Sequence, residues 1–278
     1  MRDAFARVVP GPRDVAALRR LRDAGMAPEP SLVEQDYTGR VVQKPWGFEF
    51  LAFDTSDAAV WRLRINAGHS TSMHCHPRKQ TALLVLAGQA LCHTFGRRFT
   101  LGVHDVIVLE AGVFHATKAT APEGLDLLEV ETPRCKTDLV RLDDLYGRAG
   151  AAYEGISEMQ TERLERFDYF SLHGAPADGG RHHVDARQRF RLGVHSLDAA
   201  ALRTWRLQPG ARALFVLHGQ IDDRHGRRVA GVGDALPPGA LASCEPGSAT
   251  PLLVLSLEHP LATSARALVA AAAPVGLS

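Results

Sequence analysis

The sequence predicts an all-β chain of two tandem barrels behind a short helical N-terminal extension. Three observations lead there. Short runs such as GFEFLAFD, AAVWRLRINAG, TALLVLAGQALCHTF, RFTLGVHDVIVLEAG and LDLLEVETP are separated by Gly, Pro, Asp and Asn, the pattern of many short strands joined by turns. The same pattern returns after residue 180 in RFRLGVHSL, ALRTWRLQPGA, ALFVLHGQI, RRVAGVGDALPPGA and PLLVLSLEH. The two halves also align faintly: INAGHS with LQPGAR, LVLAGQA with FVLHGQI, and HDVIVLEAG with GDALPPG. A repeat of this length argues for duplication of a whole β domain.

In chain order, RDVAALRRLRDA at residues 13–24 has apolar positions at helical spacing, with Gly25 as its stop. This is the helix of an extension over residues 1–40. The first barrel is expected over 41–150 and a linker over 151–165. A second, degenerate barrel follows over 166–260, and a tail over 261–278. Residues 134–165 are charged, look partly helical, and read as a connector.

The chain has 278 residues, 32 basic against 31 acidic, for a formal net charge of +1. Nothing in that balance calls for nucleic acid or an anionic membrane as a partner. The N-terminus has no apolar h-region and no run of about 18 apolar residues occurs. Cys75, Cys92, Cys135 and Cys244 form no Cys-x-x-Cys pair. A reducing cytoplasm is therefore expected, and a homodimer is the expected assembly.

The chemistry concentrates in GHSTSMHCHPRKQTALLVLAG and HDVIVLEAGVFHAT. On a strand, His74 and His76 share one face and Cys75 takes the other. His115 lies 39 residues beyond His76, just after the turn EAG, where a neighbouring strand can bring it in as a third ligand. Thirteen histidines make one His-x-His pair unremarkable by chance. Its specificity comes from context: Gly68, Gly88, Asp105 and Gly112 at barrel-like intervals. One divalent transition metal (zinc, manganese, iron or nickel) is the expected cofactor, against the plainer reading of satisfied core histidines.

These two segments resemble the paired motifs of the cupin superfamily, whose fold is a double-stranded β-helix, or jelly roll. The resemblance implies two tandem cupin barrels and implies His74, His76 and His115 as metal ligands. The family's Glu ligand falls on Thr81, or on Gln80 with the loop shifted by one. His104 stands where the family has Gly, and Glu110 where it has Pro. Between Gly210 and Gly219 only ARALFVLH remains, and Ala242 occupies the slot of the second His. His182, His183 and His218 are not at ligand spacing, so the second barrel is expected to be metal-free.

Over residues 43–148, QKPWGFE, LEVETP and DLVRLDDLYGR resemble the cupin domain of type II mannose-6-phosphate isomerases and related polysaccharide-pathway cupins. That likeness implicates Arg148, the last residue of the YGR string, in catalysis. No Gly-rich nucleotidyltransferase segment precedes the barrel, so pyrophosphorylase activity is not expected.

Three neutral imidazoles leave an ion's charge uncompensated, which favours an anionic or chelating substrate. Lys79 is a candidate phosphate contact, or else a solvated loop lysine. Trp46 is a candidate platform for a sugar ring, or else a filler of the barrel mouth. Glu129 and Glu131 alternate on one strand face and are candidate general bases if that face points inward. The expected function is a sugar-phosphate isomerase of carbohydrate or surface-polysaccharide metabolism. The alternatives are a three-histidine non-haem iron dioxygenase and a non-catalytic sugar-binding protein.

Overall fold

The computed structural model describes residues 5–31, 35–143, 145–147, 153, 158–173, 181–198, 211–223, 225–237, 240, 244–246 and 252–258. The chain opens with β1 (Phe5–Val8) and α1 (Pro12–Asp23). Next come β2 (Val41–Lys44), β3 (Gly47–Asp54), β4 (Ala59–Ile65), β5 (Met73–Cys75), β6 (Gln80–Gly88) and β7 (Ala90–Thr94). Then follow β8 (Arg98–Leu101), β9 (Val106–Leu109), β10 (His115–Ala119), β11 (Leu125–Thr132), β12 (Val140–Asp143) and β13 (Met159–Gln160). They form two sheets. The larger runs β1-β9-β6-β11-β4-β3-β2-β13 and the smaller β12-β5-β10-β7-β8.

Strand β6 shows why the sheets assemble as they do. Its sequence, QTALLVLAG, is buried along nearly its whole length. Leu83 and Val85 point into the barrel with Leu63, Ile107 and Leu127. Ala82, Leu84 and Leu86 point to the other face. A sheet that reads as a continuous apolar run needs cover on both sides. The turn beyond it admits only glycine: Gly88 has φ +83°, and a Cβ there would lie 2.1 Å from the Gly124 carbonyl oxygen.

The cover comes from the second half of the chain. Strands β14 (Arg181–Val184), β15 (Arg191–Leu197), β16 (Ala211–His218), β17 (Gln220–Asp223), β18 (Arg228–Gly231), β19 (Ala235–Leu236), β20 (Cys244–Pro246) and β21 (Leu252–Glu258) form two further sheets. Their orders are β14-β15-β21-β16-β19 and β18-β17-β20. The second barrel's own interior holds Leu197, Leu214, Val216, Ile221 and Val254. The opposite face of its larger sheet presents Leu192, Val194, Phe215, Leu217 and Leu257. These pack against Phe50, Val60, Leu84, Leu128 and Val130 of the first barrel as one core. The two large sheets thus lie back to back.

A buried ionic clasp joins the same faces. The Asp126 carboxylate is held by Arg62 at 2.7 Å and Arg64 at 3.2 Å. From the second barrel Arg189 reaches it at 3.3 Å. Asp185 fixes Arg189 through two further bonds of 2.9 and 2.8 Å. Buried charges are tolerated when paired in this way.

Some elements differ from the sequence expectation. The N-terminal extension contributes a strand as well as a helix: β1 pairs in parallel with β9. The stretch read as partly helical contains β12, which pairs with β5. It also contains β13, which pairs with β2, and a short 3-10 turn at Leu164–Phe167. These strands have only four and two residues, too short for their own periodicity to declare them, and the ladder partner decides. Among the described residues no helix is long and apolar enough to cross a membrane.

Because Phe215 is fully buried between the barrels, Phe215→Ala should lower unfolding free energy by about 3–5 kcal/mol. Urea titration of wild type and variant measures the loss.

Candidate metal centre

The interior of the first barrel is a cavity of about 600 Å³, its open mouth included. His74, His76 and His115 line one wall. His74 and His115 face each other directly across β5 and β10. His76 follows β5, and its carbonyl accepts the amide of Gly112 at 2.8 Å, tying the ligand turn to the turn before β10. The ring centroids lie 4.4 to 5.6 Å apart. One nitrogen from each ring falls within 4.8 Å of the other two.

The tautomer follows from the partners. Each Nδ1 meets a backbone carbonyl: His74 to Ser72 at 2.8 Å, His76 to Asp138 at 2.6 Å and His115 to Val113 at 3.0 Å. A carbonyl only accepts, so each Nδ1 carries the proton and each Nε2 keeps its lone pair. The buried Nε2 of His76 has no hydrogen-bond partner. Burial pushes all three imidazoles below their usual pKa, His115 to about 4, which keeps them neutral. Neutral rings, carbonyl-anchored Nδ1 atoms and an orphaned Nε2 are what a divalent metal requires. The three histidines are positioned for one.

Opposite the triad stands a set of buried charges. Glu129 approaches His76 Nε2 to 3.8 Å. Burial raises its carboxyl to about 7; Lys136 opposes the rise, while the negative charge of Glu131 adds to it. Glu49 behaves in the other sense. Burial works against its charge, but Lys136, Lys44 and the Tyr153 hydroxyl outweigh that and hold it at about 2. Lys136 bridges Glu131 at 3.2 Å and Glu49 at 3.3 Å, with its ammonium 3.8 Å from the Trp61 ring centre. Two like carboxyls in one cavity are thus driven apart in pKa, the usual basis for dividing acid and base roles.

The other residues singled out in the sequence are placed as follows. Trp46 is buried and lines the cavity. Lys79 also lines it, but its ammonium is held by Glu131 and the Cys135 carbonyl, both at 2.9 Å. Glu131 is engaged by Lys79 and Lys136. Thr81 is buried opposite Leu109 and Glu131 and is not among the cavity-lining residues. The Gln80 amide donates to the Gly233 carbonyl at 2.8 Å, turned toward the second barrel and away from the triad. Arg148 and Ala242 lie outside the described residues. His104, in the family's Gly slot, adopts φ +72°, the conformation glycine adopts most readily.

Several functional neighbours escaped the sequence reading. Arg141 is buried in the cavity wall and pairs in register with His74. Asp138 supports His76 through its carbonyl, and its carboxylate accepts the amides of Arg78 and Lys79. Both sit in the DLVRL string, which was read for its resemblance and not as a strand.

Residues 61–131 match the family model described as "Cupin domain". The first barrel is a cupin domain. A stretch of 115 residues is 30% identical to mannose-1-phosphate guanylyltransferase ManC of Salmonella typhimurium, covering 39% of this chain and 23% of that protein. A stretch of 111 residues is 25% identical to a mannose-1-phosphate guanylyltransferase of Escherichia coli, covering 39% and 24%. The chain therefore spans about a quarter of the length of these curated relatives. Among solved structures, KdgF from Halomonas sp. is 20% identical with a TM-score of 0.30, over 38% of this chain and 89% of that one.

In the second half, among the described residues, no other group of three His, Cys, Asp or Glu converges as the cupin triad does. His195 Nε2 instead contacts Ser256 Oγ at 2.9 Å, and Ser256 donates to Glu258 at 3.0 Å.

Elemental analysis should find one metal per chain in wild type and little in His74→Ala or His115→Ala, since two ligands cannot close a site of three or four. Acid should also weaken the fold. The Glu49 carboxyl is depressed in the folded state, so its contribution is present above about 4.5 and is lost as pH falls toward about 2. Denaturation midpoints of the apo protein between pH 5 and 2 measure this, and Glu49→Gln should flatten the dependence.

Proposed function

We propose that this chain is a metal-dependent sugar-phosphate isomerase of carbohydrate or surface-polysaccharide metabolism. The observation that carries the reading is one barrel cavity in which three lone-pair imidazole nitrogens face a carboxyl whose pKa is raised by burial. A divalent ion held by His74, His76 and His115 would supply Lewis acidity to the carbonyl and hydroxyl oxygens of an open-chain sugar. Glu129 is the proton carrier: it removes the proton beside the carbonyl and returns it to the neighbouring carbon. Glu131 is tied to Lys79 and Lys136 and remains a fixed charge.

Charge supports an anionic substrate. Lys44, Lys79, Lys136 and Arg141 line the cavity against the paired carboxylates of Glu49 and Glu131, leaving positive charge in surplus even before an ion binds. Trp46 offers an apolar wall for the sugar ring. The curated relatives act on mannose 1-phosphate by name, which favours the same substrate class here. A three-histidine set also suits a non-haem iron dioxygenase, but a buried acid–base carboxyl next to the ligands fits proton transfer better.

The test is a panel of hexose and pentose phosphates incubated with metal-loaded protein in deuterated water and followed by NMR. Isomerisation with solvent deuterium at the transferred position is the expected result. Glu129→Gln should lower kcat by about 100-fold or more with metal content unchanged. Oxygen uptake without isomerisation would overturn the reading in favour of oxygenase chemistry.

A further inference from the structure

We infer that helix α1 positions the metal ligands from behind, acting through the carboxylate of Asp14. This rests on the metal site of the proposed function and not on its substrate.

The ligand strands are thinly held. Strand β5 has three residues, and its pairing with β10 consists of the single couple His115–His74. On the other side β12 pairs with it through Val140–Cys75 and Arg141–His74, with an irregularity beyond. Alternation sends His74, His76 and His115 into the cavity and sends Cys75 and Phe114 outward. Cys75, Phe114 and Val140 are fully buried, and Ala17 and Leu21 of α1 cover them. The helix thus packs on the residues that interleave with the ligands.

Asp14 adds a directional bond to this contact. Its Oδ1 accepts the amide of Phe114, the residue before His115, at 2.8 Å. Its Oδ2 accepts the amide of Gly11 at 2.8 Å, closing the first turn of α1. Asp14 is only 7% exposed. A buried carboxylate is tolerated when both oxygens are hydrogen-bonded, and the helix N-terminus favours its charge. One side chain therefore fixes the start of the helix and the backbone next to a ligand. Partners that orient metal ligands typically change metal affinity about 10- to 100-fold when they are removed.

Cobalt(II) titration of the full-length apo protein tests this, with affinity and the visible absorption of the bound ion as readouts. Asp14→Ala should weaken cobalt binding about 10- to 100-fold and shift the absorption bands. Asp14→Asn keeps one acceptor oxygen for two amide donors, and should weaken binding to a smaller degree. Phe215→Ala is the control: it lowers stability at the inter-barrel core and should leave cobalt affinity and spectrum unchanged. Wild-type affinity and spectrum in both Asp14 variants would overturn the inference, as would a Phe215→Ala protein whose cobalt binding falls as far as theirs. Cobalt binding is read without substrate, so a sugar phosphate that fails to react bears on the proposed function alone.

Discussion

Two-sided burial of the large sheet of the first barrel is the constraint on which everything else hangs. Strands β4, β6 and β11 carry apolar residues at both phases of their alternation. One phase builds the cavity wall and the other requires cover. The second barrel supplies that cover with its own large sheet, and the Arg62–Asp126–Arg189 clasp bridges the two. Once the outward phase is buried, the inward phase is fixed as well, because side-chain period two allows no slip without exchanging faces. Glu129 and Glu131 therefore have to face the cavity with Leu127 and Leu83.

Inside that wall, the organisation is electrostatic. Three lysines and two carboxylates form a closed ladder from Lys44 to Lys79, which makes burial of so many charges tolerable. Glu129 stands outside the ladder, nearest the histidines, and its environment drives it toward the neutral form. The second barrel shows the same frame without this chemistry. Glu129 is opposite Trp61 in the first barrel, and Ser256 is opposite Gly193 in the second. Two residues further, Glu131 is opposite Ala59 and Glu258 opposite Arg191. With serine in the place of Glu129, the second interior closes on itself through His195, Ser256 and Glu258.

The N-terminal extension is part of the same economy. Strand β1 covers the edge strand β9 and Arg7 reaches both Glu110 and Asp234, touching each barrel. Helix α1 covers the outer face of the ligand strands. A segment that precedes the barrel in sequence thereby completes its two weakest margins, an open edge and a set of short strands.

The sequence alone determined the all-β class and singled out the three histidines that the fold brings together. Strand alternation, Gly and Pro punctuation and a His-x-His pair are local patterns, and a local pattern survives in one dimension. It also determined that the glutamates of LEVET share a face, though not which face. Only the tertiary structure decided that this face is the cavity, because that depends on what covers the opposite side. The same holds for Lys79, whose ammonium has an internal carboxylate for a partner, and for Arg141 and Asp14, which stand next to the ligands only because β12 pairs with β5 and α1 packs behind it. Contacts between residues 52 to 100 positions apart are settled by packing and desolvation across elements, and no spacing along the chain records them.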